Sequence, residues 1–239
     1  MELASGRSGR DLVHFIKLVF VVLRTRPLDV FSMTRNFLMF YASSILVCLN
    51  PFYKHKLVLG RNVRVQRLRS IRPHGKNANI TLGDNSIIYE NALIEAMDMA
   101  SISIGACVVV GDCRISSRKK ISIGERTLLS WNVFIQDYDS HPILPELRAE
   151  QVKRICKRFY PRFKESNLNY NEQMLEQWHA PATPIVIGCD VWIGAGVTIL
   201  KGVTIGDGCI VASGSVVTRG QYPSRCLIAG NPAQVVKQI

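Results

Sequence analysis

The chain is short of acid: across 239 residues, 18 Asp and Glu stand against 30 Lys and Arg, a formal net charge of +12. Paired cysteines are missing too. The seven, at 48, 107, 113, 156, 189, 209 and 226, form no Cys-x-x-Cys motif and no metal-ligand spacing. An odd number without a framework argues against a disulfide scaffold and for a reducing compartment, the cytoplasm being the simplest. No apolar run reaches the roughly 20 residues a helix needs to cross a bilayer. The two long ones, "LVHFIKLVFVVL" (12–23) and "FLMFYASSILVCL" (37–49), have 12 and 13 residues. The first contains His14 and Lys17, and no small-x-small cleavage site follows it, so a secretory signal is not expected. Aromatic or groove-reading motifs are absent beside the cations, and nucleic acid is therefore not an expected partner.

What is present is unevenly placed. Residues 7–72 hold 13 Lys and Arg against two Asp, which is +11 of the whole excess. Short apolar runs set among cations suit a helical extension, 1–55, lying on an anionic membrane surface, at the inner face of the cell membrane. Packing of the same runs on the rest of the protein or in an oligomer is the alternative, and a solvated basic face is the plainest one.

From residue 79 a six-residue period takes over. Stepping by six gives Leu82, Ile88 and Ile94, then Ile104, Val110 and Ser116, then Ile123, Leu129 and Ile135. After a break the series returns as Ile187, Ile193, Ile199, Ile205, Val211 and Val217. Fourteen of these fifteen positions are aliphatic, Ser116 being the exception, and glycine follows at 83, 105, 111, 124, 188, 194 and 206. Neither a helix (3.6) nor a flat strand (2) has this period. Three such units make a triangular coil of parallel strands, so a solenoid with capped ends is expected, mainly β, over 56–220. A loop insertion, 136–184, interrupts it, and 221–239 forms a C-terminal cap or tail.

"IGCDVWIGAGVTILKGVTIGDGCIVASGSVVT" (187–218) followed by "IAGNPAQVVKQI" (228–239) closely resembles the hexapeptide-repeat acyltransferases, and the resemblance covers roughly 79–239. Within that family it is the sugar and polysaccharide O-acetyltransferases that the chain resembles. The resemblance implies a left-handed parallel β-helix, a homotrimer with active sites between prisms, and acetyl-CoA as cosubstrate, with no metal expected. One carbonic anhydrase family uses the same prism with three histidine zinc ligands, but the repeat region here offers only His141 and, at the end of the insertion, His179.

The repeat opens at "IQDYDSHPI" (135–143). In the family the loop leaving the coil here bears the catalytic histidine, and His141 occupies the matching position. Imidazole titrates near neutrality and suits removal of a hydroxyl proton during acyl transfer. Asp137 or Asp139 could orient its other nitrogen, as could a backbone carbonyl. For the donor, the resemblance carries over Trp192, Ala195, Ser213, Thr218 and Arg219. Arg225 and Lys237 are further cations available to its phosphates. Trp192 has a second reading as a corner-packing aromatic, and His141 as a loop cap. The stretch "ELRAEQVKRICKRF" (146–159) reads as a basic amphipathic helix, with Val152, Ile155 and Phe159 at helical spacing. Lid, acceptor contact and subunit packing are its open roles. The implied activity is transfer of an acetyl group to a sugar hydroxyl, on a lipid-linked or polymeric glycan. N-acetylation of a nucleotide-linked amino sugar and a non-enzymatic scaffold are the alternatives.

Overall fold

On a three-sided coil, a residue that recurs every six positions lands on successive faces. The computed structural model, which describes residues 5–25, 30, 33–35, 37, 38, 56–159 and 168–239, has three sheets arranged in this way. The first face runs through seven strands from Leu57–Leu59 to Gly220–Tyr222. The second has eight, beginning at Arg64–Val65, and the third has six, from Ile71–Pro73 to Val216–Val217. All pairing between these strands is parallel except at the end of the second face, where Ala233–Gln238 folds back antiparallel on Cys226–Gly230.

Strand register explains why the period is kept. Leu82, Ile104, Ile123, Ile187 and Ile205 stack in one ladder on the first face. Ile88, Val110, Leu129, Ile193, Val211 and Ile228 do so on the second. On the third, the ladder is Ile71, Ile94, Ile115, Ile135, Ile199 and Val217. These residues are all buried and form one core. Each contributes roughly 1.5–3 kcal/mol by leaving water. The inward position on the third face is Ile115, not Ser116, so the step from Val110 is five residues. Ser116 is nonetheless buried, its hydroxyl 3.1 Å from that of Tyr138.

The coil begins earlier than the glycine-marked repeat. Leu59, Val65 and Ile71 pair with Leu82, Ile88 and Ile94, adding a full turn above residue 79. Stacking is close where glycine follows the inward residue: a Cβ on Gly124 would lie 2.4 Å from the carbonyl carbon of Gly188. At the corner between the first and second faces, Asn62, Asn85, Cys107, Arg126, Asp190 and Arg225 adopt positive φ.

Outward positions on the second face make a second ladder: Ile87, Val109, Leu128, Trp192, Ile210 and Leu227 lie side by side across six coils. Leu128 is 42% exposed and Trp192 50%.

The first apolar run of the sequence forms helix α1 (Ser5–Thr25). It leaves Val13, Ile16, Leu18, Phe20, Val21 and Leu23 exposed. Phe15 stacks on Phe37 with ring centroids 3.9 Å apart. Most of the second run, 39–49, lies outside the described residues. No helix among the described residues is long and apolar enough to cross a membrane.

Candidate active site

The insertion leaves the third face after Phe134–Gln136 and rejoins the first at Ile185–Ile187. Its two stems pair at the neck. Tyr138 bridges Ala182 antiparallel, the Thr183 N–H donates to the Asp137 carbonyl (2.8 Å), and the Asp139 N–H donates to that of Pro181 (3.0 Å). Beyond the neck lie helices α2 (Pro145–Arg158) and α3 (Glu172–Glu176). Pro145 starts α2 where its missing N–H costs nothing. Lys157 and Arg158 close α2 at the negative end of its dipole. Arg154 and Arg158 both reach Glu172, and Glu150 accepts from the Asn171 N–H at 2.7 Å, so the two helices are tied together.

The buried face of α2 is not the one its apolar spacing suggests. Val152, Ile155 and Phe159 are exposed, whereas Leu147 and Gln151 are buried. Gln151 is the functional candidate that the sequence reading missed: its Oε1 lies 2.8 Å from Nδ1 of His141. The signal available was its place one helical turn after Leu147, on the same face.

His141 sits at the mouth of a cleft of about 210 Å³, with Asp139, Pro142, Ile143, Leu144, Leu147, Trp178 and Pro181 around it. Arg148 fixes this rim by donating to the carbonyl oxygens of Pro142 and Ile143, both at 2.9 Å. The ring is solvent-exposed, and its Nε2 makes no hydrogen bond to any described residue. His179 does not join it; its Nδ1 is 3.3 Å from the Gln177 carbonyl.

Neither aspartate orients the ring. Asp137 is fully buried and turns back into the preceding coil. There its carboxylate accepts from the Ser117 hydroxyl (2.6 Å) and from the N–H groups of Arg118 (2.8 Å), Lys119 (3.0 Å) and Lys120 (2.7 Å). With four donors supplied by the 117–120 corner, the carboxylate is held there. Asp139 instead pairs with Lys201, one coil further on.

The donor candidates are partly gathered. Ala195 and Ser213 are exposed at the same corner of successive coils, between the second and third faces, and the Gly214 N–H donates to the Ala195 carbonyl at 2.8 Å. Trp192 is next to them on the second face, its Nε1–H donating to Ser130 Oγ at 3.4 Å. Thr218 and the exposed Arg219 stand at the other edge of the third face, on the corner from which the insertion springs. Arg225 and Lys237 are apart from these. Arg225 lines a wider cleft of about 630 Å³ with Asp190, Asp207, Gly208, Ser224 and Ile239. Lys237 is on the antiparallel strand, opposite Leu227. The small side chains at 195 and 213 leave the corner backbone open to a narrow ligand, and Arg219, Arg225 and Lys237 make no ion pair with the described residues.

Burial pushes the Cys113 thiol up to about 12, which suppresses the thiolate.

Comparison with known proteins places the fold. Residues 184–219 match the bacterial transferase hexapeptide family (six repeats). No curated protein matches the chain. Among solved structures, the polySia specific acetyltransferase NeuO is 25% identical with a TM-score of 0.54, over 77% of this chain and 66% of that one. AntD, an N-acyltransferase from Bacillus cereus solved with dTDP and 3-hydroxybutyryl-CoA, is 16% identical with a TM-score of 0.57, over 84% and 89%. A maltose O-acetyltransferase from Clostridium difficile 630 is 23% identical with a TM-score of 0.41, over 84% and 86%. The chain thus spans just under two thirds of NeuO's length. It is a left-handed parallel β-helix of hexapeptide repeats, and the sequence resemblance to hexapeptide-repeat acyltransferases is borne out.

Proposed function

We propose that this protein transfers an acetyl group from acetyl-CoA to a hydroxyl of a sugar, with His141 as general base. The observation that carries the reading is the state of His141. It stands where the repeat opens, beside a cleft, with Nδ1 engaged inside the protein and Nε2 left for substrate. In the transfer, Nε2 takes the hydroxyl proton as the acceptor oxygen bonds to the thioester carbonyl carbon. The carbon–sulfur bond then breaks and the proton passes to the leaving thiolate, giving CoA and an ester. Trp192, Ala195, Ser213, Thr218 and Arg219 would hold the pantetheine arm, with Arg225 and Lys237 as cations for the nucleotide's phosphates.

Likeness to NeuO supports a polymeric glycan as acceptor, and the exposed apolar side chains of α1 support a lipid-linked one near an anionic membrane. The outward apolar ladder on the second face supports a homotrimer, since six aligned apolar residues form a surface suited to a second copy. Six free thiols among the described residues fit a cytoplasmic setting.

A thiol-release assay with acetyl-CoA and a panel of sugars, on material that scatters light as a trimer at micromolar concentration, tests the reading. Acceptor-dependent release with an alkali-labile ester product is the expected outcome. An alkali-stable amide would assign amine acceptors instead, no release would remove the enzyme reading, and an active monomer would remove the intersubunit site.

A further inference from the structure

Gln151 is almost completely buried on α2, at 6% exposure, and both ends of its amide are engaged. Oε1 lies 2.8 Å from His141 Nδ1, and Nε2 donates to the Ser140 carbonyl at 3.4 Å. A carbonyl oxygen can only accept, so the amide NH₂ must face Ser140 and the amide oxygen must face the imidazole. The ring nitrogen opposite that oxygen must then be the one carrying hydrogen.

We infer that Gln151 is the positioning residue of His141, locking the imidazole in its Nδ1–H tautomer so that Nε2 is the basic nitrogen. The role as base rests on the proposed function; the lock itself does not. It has two consequences. First, the group that orients the base comes from the insertion and not from the prism, so α2 is part of the catalytic apparatus and not only a cover. Second, a neutral partner aligns the ring without the attraction that a carboxylate exerts on imidazolium. The other charged and titratable groups near the cleft are accounted for elsewhere. Asp139 is held by Lys201, Arg148 by two carbonyl oxygens, Glu150 by Lys153 and the Asn171 N–H, and His179 lies against the Gln177 carbonyl.

The experiment is nitrogen NMR on the full-length protein labelled in histidine, the His141 signals being those lost in His141→Ala. Wild type should show the neutral ring protonated on Nδ1, the reverse of the tautomer preferred by free imidazole side chains. In Gln151→Glu the titration midpoint of His141 should rise by about one pH unit or more, and the acid limb of kcat/KM should move with it. An Nε2–H ring in wild type, or an unmoved midpoint in Gln151→Glu, overturns the inference. The wild-type tautomer needs no variant, so a Gln151→Glu chain that fails to fold leaves the inference testable. If the lock is found but no acyl group is transferred, the functional reading falls and the pairing stands. If transfer depends on His141 while the ring carries Nε2–H, the pairing falls alone.

Discussion

The carboxylate of Asp137 is out of contact with water and accepts four hydrogen bonds from the corner at 117–120. Three of the donors are the backbone N–H groups of Arg118, Lys119 and Lys120, for which Asp137 is the hydrogen-bond acceptor. Asp137→Ala should therefore lower the unfolding free energy on the order of 3 kcal/mol or more, because each buried donor left unpaired costs about 1–3 kcal/mol. Denaturant unfolding checks this, and a variant as stable as wild type would contradict the role. His141→Ala should lower the unfolding free energy by less, because only one buried acceptor, Gln151 Oε1, loses its partner and the exposed position lets water take the place of the ring. This contrast shows what the sequence could and could not reveal at this scale. His141 became a candidate because the repeat stops there and the family resemblance puts a catalytic histidine on that loop. Asp137 and Asp139 closely precede His141 in sequence and invited a triad reading, but partners in neighbouring coils claim both carboxylates. Gln151 was hidden because a neutral amide carries no catalytic signature, and only burial beside Leu147 marks it.

At the scale of elements, the aliphatic ladders were legible because every coil repeats the same inward constraint. The first turn, through Leu59, Val65 and Ile71, keeps the six-residue step and lies within the expected span of 56–220, ahead of the glycine-marked units that announce the period. The slip at Ile115 came from a shortened corner, which no period can announce. On α2 the apolar spacing pointed to Val152, Ile155 and Phe159, yet the site holds down the other side of the helix through Gln151 and Leu147. Helix α1 offers a test of its own. Its exposed side chains, with Lys17 and Arg24 among them, suit an interface where apolar burial and attraction to anionic lipid act together. Co-sedimentation with anionic vesicles is expected at low salt. It should weaken without vanishing once screening shortens the Debye length to about 8 Å at physiological ionic strength. Failure to bind anionic vesicles at low salt would make α1 a cap or a contact between subunits.

At the scale of the whole molecule, the described residues from 56 onward form a stack of coils that the insertion 136–184 interrupts. The prism gives rigidity, since every strand except the two at the ends of each sheet is paired on both sides and the aliphatic ladders fill its interior. The insertion carries His141, whose Nδ1 lies 2.8 Å from Gln151 Oε1 while its Nε2 has no hydrogen-bond partner among the described residues. The solenoid was therefore readable from the period and its left-handed turn from the family resemblance, whereas the lining of the insertion's cleft, drawn from residues 139–181, follows no repeat. Transfer of an acyl group by His141 is the claim on which the rest depends. Its most direct test is turnover of wild type and His141→Ala with acetyl-CoA and an accepted sugar, alongside acetyl-CoA affinity measured by calorimetry. Loss of a general base should cut turnover by about 10²–10⁴-fold with donor affinity intact, and turnover close to wild type in the alanine variant would contradict it.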